Sequence, residues 1–141
     1  MSSPAFPHPE NTWNHRVSYG ETDAMGVVYY ANYLHWFEQA RSFFIRELGM
    51  SYKDIETRGV TLPVREAHCR YRSPASYEDE IAVRTGINEW RRASLTFVYA
   101  IYNLSHEQVL MATGSTQHAC TNSAGRPVPV PEWLKTLVLG P

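Results

Sequence analysis

The chain has 141 residues, of which 43% are hydrophobic and 19% are charged, with 13 Lys and Arg against 14 Asp and Glu. The formal net charge of −1 excludes a strongly basic nucleic-acid-binding protein and an acidic tail protein. A chain of this length forms one domain with a core that needs no disulfides or metals. The aromatic content of 13% requires an explanation, because so many rings line a core, an interface or an apolar pocket.

The N-terminal segment, residues 1–11, is expected to be a flexible lead-in. It is rich in proline and lacks the basic and apolar regions of a secretory signal. No stretch reaches the roughly 18 apolar residues that a membrane span requires. The two cysteines, Cys69 and Cys120, form no metal or redox motif and are expected to be buried thiols in a reducing compartment. We therefore expect a cytoplasmic protein.

The first predicted elements are a strand and a long helix. Alternating residues on one face predict a strand over residues 12–19, followed by a loop over residues 20–26. Apolar residues at three- and four-residue steps predict a helix over residues 29–48, ended by Gly49. The apolar side chains of this helix extend around most of its circumference, so other elements must wrap it. A further helical turn is expected over residues 51–59.

The remainder of the chain reads mainly as strands. Segments rich in β-branched and aromatic residues cover residues 60–72, 80–90, 94–103 and 109–121. The turns between them are short, which predicts an antiparallel meander with the first and last strands at its edges. A short helix is predicted over residues 132–139. The fold class is therefore α+β, with the long helix on one face of a strongly curved sheet. Pairing with a second copy would cover an edge, so we expect at least a homodimer.

The most informative stretch is YGETDAMGVVYYANYL, residues 19–34. In it, Asp23 precedes a glycine-containing turn that leads to the N-terminus of the long helix. Main-chain N–H groups at such a terminus are unpaired and electropositive. A carboxylate beside them can attack a carbonyl, or activate water against it, while the amides stabilise the oxyanion. From spacing alone, an ordinary turn residue is the simpler interpretation of Asp23.

A wider set of residues carries a family resemblance: Thr22, Asp23, Gly26, Val27, Val28, Tyr29, Asn32, Tyr33, Trp36, Phe37, Glu38 and Arg41. With these residues the chain resembles the hot-dog-fold acyl-CoA thioesterases of the 4-hydroxybenzoyl-CoA thioesterase type, which include the Tol-Pal-associated thioesterases. The resemblance continues through Pro63, Arg65, Tyr71, the strand SLTFVYAIYN and the segment GRPVPVPEWL, so it covers essentially the whole chain.

The resemblance implies a sheet of about five strands wrapped round one central helix, with residues 12–141 as a single hot-dog domain. It implies that Asp23 is the catalytic carboxylate and that the main-chain N–H of Tyr30 points at the thioester oxygen. Many Tol-Pal-associated members have His at the position of Tyr30, so an imidazole contribution is absent here. Asp23 can act as a nucleophile, through an acyl anhydride, or as a general base on water. No metal or cofactor is expected, because CoA is part of the substrate.

Two further polar residues on the long helix are candidates for the site. Asn32 is expected either to orient substrate or water or to cap the helix. Glu38 lies within two turns of the helix start and is a candidate second carboxylate. The alternative for Glu38 is a contact with Arg41 or Ser42 on the helix surface.

The remaining substrate-binding candidates lie in turns. Arg is well matched to phosphate, so turn arginines are expected to contact the phosphates of CoA, with plain solvation as the alternative. The arginines are Arg91, Arg92 and Arg126, and the other two substrate-binding candidates are Gly26 and Val27.

The expected function is hydrolysis of an aromatic or short- to medium-chain acyl-CoA, with aromatic residues of the central helix forming the acyl pocket wall. The alternatives are a thioesterase acting on acyl carrier protein and a non-enzymatic acyl-CoA-binding module. An acidic carrier protein would favour clustered lysines, but the chain has only Lys53 and Lys135. A sensor needs no attacking carboxylate, which favours an enzyme. The expected assembly is a homodimer or a dimer of dimers (a homotetramer), with no nucleic acid as partner and no membrane span.

Overall fold

The computed structural model describes residues 5–141, in which five strands and three α-helices form an α+β fold, as predicted. The elements in chain order are β1 (Glu10–Arg16), α1 (Asn32–Glu47), α2 (Tyr52–Thr57), β2 (Val64–Tyr71), β3 (Glu80–Asn88), β4 (Ser94–Asn103), β5 (Val109–Ala119) and α3 (Glu132–Leu139). The bounds of β4 and α3 are those expected from the sequence. Among these residues no helix is both long enough and apolar enough to cross a membrane.

The strands form one antiparallel sheet in the order β1-β3-β4-β5-β2. The predicted meander is confirmed for β3, β4 and β5. The prediction that the last strand is an edge is wrong, because β2 pairs with the outer side of β5. The edges are therefore β1 and β2. The connection over residues 72–79 carries the chain from β2 across the end of the sheet to β3, and the main-chain N–H of Val28 donates to Ala75 O within it over 2.8 Å.

The first strand begins two residues earlier than predicted. Glu10 is already paired with Gly86 of β3, and its carboxylate accepts two hydrogen bonds from Arg84, each of 2.8 Å. Just before it, Pro7 packs over Gly86, where an added Cβ would lie 2.9 Å from the proline ring. Residues 1–4 of the expected lead-in lie outside the described part of the chain.

The core lies between α1 and the sheet. The buried side chains of α1 are Tyr33, Trp36, Phe37, Ala40, Phe44 and Ile45. The ring of Phe37 stacks on Tyr99 of β4 with centroids 4.1 Å apart. Gly114 of β5 makes this approach feasible, because a Cβ there would lie 2.5 Å from the Phe37 ring. Burying each such ring stabilises the fold by about 1.5–3 kcal/mol.

The helix is shorter and less enclosed than expected. It begins at Asn32, because Tyr29 is still held in the preceding loop by a hydrogen bond from its N–H to Glu21 O, 2.9 Å long. Leu34, His35 and Glu38 are exposed, so the single chain leaves one face of α1 uncovered. The prediction of an apolar surface around most of the helix is too broad for this face.

A row of buried polar side chains crosses the core beside α1. The hydroxyl of Tyr99 lies 2.6 Å from Thr116 Oγ1, which lies 2.8 Å from Nε2 of His118. Nδ1 of His118 lies 2.8 Å from the carbonyl of Leu62, which can only accept. Nδ1 therefore carries the proton, Nε2 accepts from Thr116, and Thr116 accepts from Tyr99. The row satisfies both ring nitrogens of a neutral His118.

Candidate active site

The segment with the predicted carboxylate folds into a narrow antiparallel loop, residues 21–29. At its base the N–H of Tyr29 donates to Glu21 O over 2.9 Å. At its tip the N–H of Asp23 donates to Val27 O, and the N–H of Gly26 donates to Asp23 O, each over 2.9 Å. Gly26 has a φ of 83°, a conformation that glycine adopts without strain. The turn chemistry of the sequence thus places Asp23 at the start of a tight tip.

The side chain of Asp23 takes part in this turn. Its Oδ1 accepts a hydrogen bond from the N–H of Met25 over 2.8 Å, which is the usual contact of an aspartate in a turn. The simpler interpretation of Asp23 is therefore correct for the backbone. It does not compete with a chemical role, because the turn contact also fixes the direction of the carboxylate.

Asp23 lies on the wall of a cavity of about 320 Å³. The wall is mostly apolar and aromatic, and it is formed by Asp23, Met25, Val27, Val28, Tyr30, Tyr33, Tyr71, Arg72, Ser73 and Pro74. Tyr33 and Tyr71 meet edge to face with ring centroids 4.8 Å apart. The predicted residues Asp23, Val27 and Tyr30 are thus brought together around one space.

Tyrosine hydroxyls in this wall are neutral hydrogen-bond donors. Burial raises the pKa of Tyr33 to about 12. Burial, together with Cys69 beside it, also raises the pKa of Tyr71. Both phenols therefore stay protonated near neutral pH, and the Tyr71 hydroxyl donates to the main-chain carbonyl of Tyr30 over 3.0 Å.

The main-chain N–H groups of Tyr30 and Ala31 both lack an acceptor among residues 5–141 and differ in this from the flanking residues. The N–H groups of Tyr29 and Asn32 donate to carbonyls at 2.9 Å, whereas within residues 5–141 the N–H of Tyr30 has no acceptor. It lies in the turn that opens α1, where unpaired N–H groups are electropositive. The cavity thus combines a carboxylate with a residue whose N–H can bind an oxyanion.

Asn32 has a different position from either expectation. The N-cap of α1 is Ala31, and the amide of Asn32 donates instead to Glu21 O over 2.8 Å. Asn32 does not line the cavity, so its contact braces the loop base. Glu38 is also outside the cavity wall, and its carboxylate lies 3.8 Å from His35 rather than against Arg41 or Ser42.

The three turn arginines are not brought to this cavity. Arg91 and Arg92 follow the C-terminal end of β3, and residue 92 accepts a main-chain hydrogen bond from Val130 in the segment after Arg126. The Asp23 loop lies at the other end of β3, where the N–H of Val17 donates to Asp79 O. A strand of this length spans about 30 Å. Within one chain, these arginines and Asp23 therefore lie at opposite ends of the sheet.

Sequence reasoning gave no role to several residues of the wall. Tyr71 is part of the family resemblance but has no assigned function there, Arg72 ends a predicted strand, and residues 73–74 lie in a predicted turn. Their signal is the run RYRSP, in which arginine and tyrosine end a strand just before a proline. Arg72 is the arginine that the structure places at the cavity. Among the described residues, no three His, Cys, Asp or Glu side chains are grouped closely enough to hold a metal ion.

Comparisons with known proteins show which proteins this chain resembles. Residues 17–138 match the family model described as the thioesterase-like superfamily. The chain is similar to the putative acyl-CoA thioesterase YneP of Bacillus subtilis, with 40% identity over 106 residues that cover 75% of each chain. It is also similar to a 1,4-dihydroxy-2-naphthoyl-CoA hydrolase of Thermosynechococcus vestitus, with 29% identity over 136 residues and 92% of each chain.

A solved structure gives the same result for the fold. The DHNA-CoA thioesterase from Staphylococcus aureus superposes with a TM-score of 0.81 and 32% identity, covering 89% of this chain and 87% of that one. The expected hot-dog architecture, a curved antiparallel sheet with one long helix against it, is confirmed.

Proposed function

The chain belongs to the thioesterase-like superfamily and hydrolyses acyl-CoA thioesters, and we propose that it does so with Asp23 and the main-chain N–H of Tyr30. The observation that carries this proposal is the shared cavity, where Asp23 and Tyr30 lie on one wall and the N–H of Tyr30 has no acceptor within residues 5–141.

In this proposal the thioester carbonyl oxygen accepts a hydrogen bond from the N–H of Tyr30. The Asp23 carboxylate then acts in one of two ways. As a nucleophile it forms a mixed anhydride with the acyl group and expels the CoA thiolate, and water hydrolyses the anhydride. As a general base it takes a proton from water, which attacks the thioester carbonyl carbon directly and displaces the CoA thiolate. Either route stabilises the developing oxyanion with a fixed dipole and uses no cofactor, since CoA arrives with the substrate.

The acyl group is proposed to be aromatic or of short to medium length. Supporting this are the volume of about 320 Å³ and a wall in which Tyr30, Tyr33 and Tyr71 present rings. The relatives named as 1,4-dihydroxy-2-naphthoyl-CoA hydrolase and DHNA-CoA thioesterase favour an aromatic acyl group. Rings prefer offset or edge-on contact with other rings, which such a wall offers.

The proposed assembly is a homodimer, and two such dimers are proposed to pair into a homotetramer. One side of β2 pairs with β5, and its side chains are mostly exposed, including Val64 at 46% and Tyr71 at 45%. Unpaired strand edges of this kind associate readily, and a second copy of β2 is the matching partner. Exposed apolar side chains of Met25, Tyr30 and Leu34 favour the same association. The cytoplasm is the proposed compartment, because Cys69 and Cys120 are both free thiols.

Thiol release over a panel of CoA esters tests the proposed function. The panel contains benzoyl-, hydroxybenzoyl-, hexanoyl- and palmitoyl-CoA, with hexanoyl-acyl carrier protein as the competing thioester. We expect turnover of the benzoyl or hexanoyl esters and a slower reaction with palmitoyl-CoA. Faster turnover of the acyl carrier protein ester would mean that the substrate is an acyl carrier protein thioester rather than an acyl-CoA. Thermal protection by CoA esters without any turnover would identify a binding module instead. A rapid-quench mass spectrum that shows an acyl adduct on the chain would favour the nucleophilic route.

A further inference from the structure

A cluster of half-buried polar contacts lies beside the Asp23 loop and centres on the carboxylate of Glu21, whose side chain is 15% exposed. Oε1 accepts from the N–H of Ser18 over 2.8 Å and lies 2.8 Å from Nε2 of His15. Oε2 accepts from the indole N–H of Trp36 over 2.7 Å. The partners come from β1, from the turn that follows it and from α1. One carboxylate thus joins three separate parts of the fold.

The main-chain carbonyl of Glu21 makes further contacts. It accepts from the N–H of Tyr29 over 2.9 Å and from the amide of Asn32 over 2.8 Å. The carboxylate therefore fixes the chain before the loop, at Ser18, while the main-chain carbonyl fixes the chain after it, at Tyr29 and Asn32. Asp23 comes two residues after Glu21, and Tyr30 comes directly after Tyr29. Both groups proposed to act on the thioester are therefore tied to the same residue.

The charge of Glu21 is matched to these partners. Burial disfavours the ionised carboxylate, but hydrogen bonds from the Ser18 N–H, His15 and Trp36 outweigh it, so the pKa of Glu21 is lowered. The ring of His15 is itself fixed, because it stacks on Trp13 with centroids 5.1 Å apart. Glu21 is not among the residues that line the cavity. Any effect of Glu21 on the reaction must therefore act through the residues that it holds.

We propose that Glu21 is a positioning residue that fixes the Asp23 carboxylate relative to the N–H of Tyr30. The inference rests on the proposed function, because it presumes that these two groups act on the thioester. Misplacing a reacting group by about 1 Å can cost about 100-fold in rate. Such a loss appears in kcat rather than in KM, because substrate contacts in the cavity are unchanged.

The test compares two Glu→Gln variants with benzoyl-CoA as substrate. In Glu21→Gln one oxygen becomes an amide NH₂, which cannot accept from the N–H of Ser18 or Trp36. We expect kcat to fall by about 10- to 100-fold, with KM within about threefold of the wild-type value. The matched control is Glu10→Gln, which weakens a half-buried pair with Arg84 near the start of β1. It should lower the melting temperature while kcat stays within about twofold.

A second measurement distinguishes local loosening of the Asp23 loop from a general loss of stability. Amide hydrogen exchange at Asp23 and Tyr29 should accelerate in Glu21→Gln but not in Glu10→Gln. If Glu21→Gln does not fold, Asn32→Ala removes only the amide contact to the Glu21 carbonyl and should lower kcat in the same direction. Wild-type kcat in folded Glu21→Gln, or a rise in its KM alone, overturns the inference about Glu21. If Asp23→Asn is inactive at the same time, the proposed function still stands. Full activity of Asp23→Asn overturns the proposed function instead.

Discussion

The hydroxyl of Tyr71, at the end of β2, donates a hydrogen bond to the main-chain carbonyl of Tyr30 over 3.0 Å. This contact ties the edge strand to the turn whose N–H is proposed to bind the oxyanion. The two residues are 41 positions apart in the chain, and both line the cavity. The geometry of the turn is therefore set partly from outside the loop that contains it.

Replacing Tyr71 by Phe keeps the ring in the cavity and removes this hydrogen bond together with the contact of the hydroxyl with the Cys69 thiol. We expect kcat to fall by about 3- to 10-fold, the equivalent of about 1 kcal/mol, with little change in KM. Steady-state thiol release measures both constants. The control is Tyr77→Phe, because Tyr77 is 52% exposed and packs on Tyr19 rather than in the cavity. A higher KM with unchanged kcat would mean that the hydroxyl contacts substrate.

Replacing Asp23 by Asn removes the charge but keeps an oxygen that can accept from the N–H of Met25. The loop should therefore fold as before, while kcat falls by about 100-fold or more, because the carboxylate is the proposed base or nucleophile. Kinetics and a melting curve check both statements. The corresponding variant Glu38→Gln should leave kcat within about threefold of the wild-type value, because Glu38 does not line the cavity. If Glu38→Gln were the inactive variant, the reacting carboxylate would lie on the helix.

The buried His118 predicts a dependence of stability on pH. Burial lowers its pKa to about 4, whereas the unfolded chain titrates near 6.5. Between these values the unfolded state binds a proton that the folded state does not, so stability falls as the pH falls from 6.5 to 4. We expect about 2 kcal/mol less free energy of unfolding from His118 at pH 5 than at pH 7.

Urea unfolding at both pH values, compared with His118→Gln, isolates this contribution. The variant should show a smaller pH slope, and the exposed His68 changed to Gln should keep the wild-type slope. Equal slopes for the wild-type protein and His118→Gln would contradict the assignment of a neutral imidazole in the row with Thr116.

Replacing Ala67 by Lys tests the proposed dimer. Ala67 is an exposed residue near the middle of β2, so in a symmetric edge-to-edge pair it would lie close to its own copy. Two lysines there should repel, and we expect the dimer to dissociate at concentrations at least about tenfold higher than for the wild type. Analytical ultracentrifugation measures this, with Ala124→Lys in an exposed loop as the control. Unchanged association would move the interface away from β2.

The sequence predicts the elements of this fold better than their arrangement. The bounds of β4 and α3 follow from strong local patterns, and the fold class follows from the order of the elements. The place of β2 has no local signal, because it depends on where the connection over residues 72–79 carries the chain. The expected edge was wrong for that reason.

The residues of the candidate site were likewise predictable only where they are close together in the chain. Asp23 and Tyr30 are close in the chain and belong to one motif, so the sequence places them together. Tyr71 joins them only through the sheet order. The chemistry of Arg91 and Arg92 suits a phosphate, but the sequence of a turn does not specify which end of the sheet the turn occupies.

The connection over residues 72–79 has a consequence for how such a protein diverges. Its first residues form one side of the cavity, and Ala75 accepts the hydrogen bond from Val28 that supports the other side. Arg72, Ser73 and Pro74, which shape one side of the proposed acyl site, are thus encoded separately from Asp23 and Tyr30. Insertions or replacements in this crossover would alter which acyl groups fit while the reacting groups stay in place. Selectivity and reactivity can therefore evolve as independent traits in this architecture.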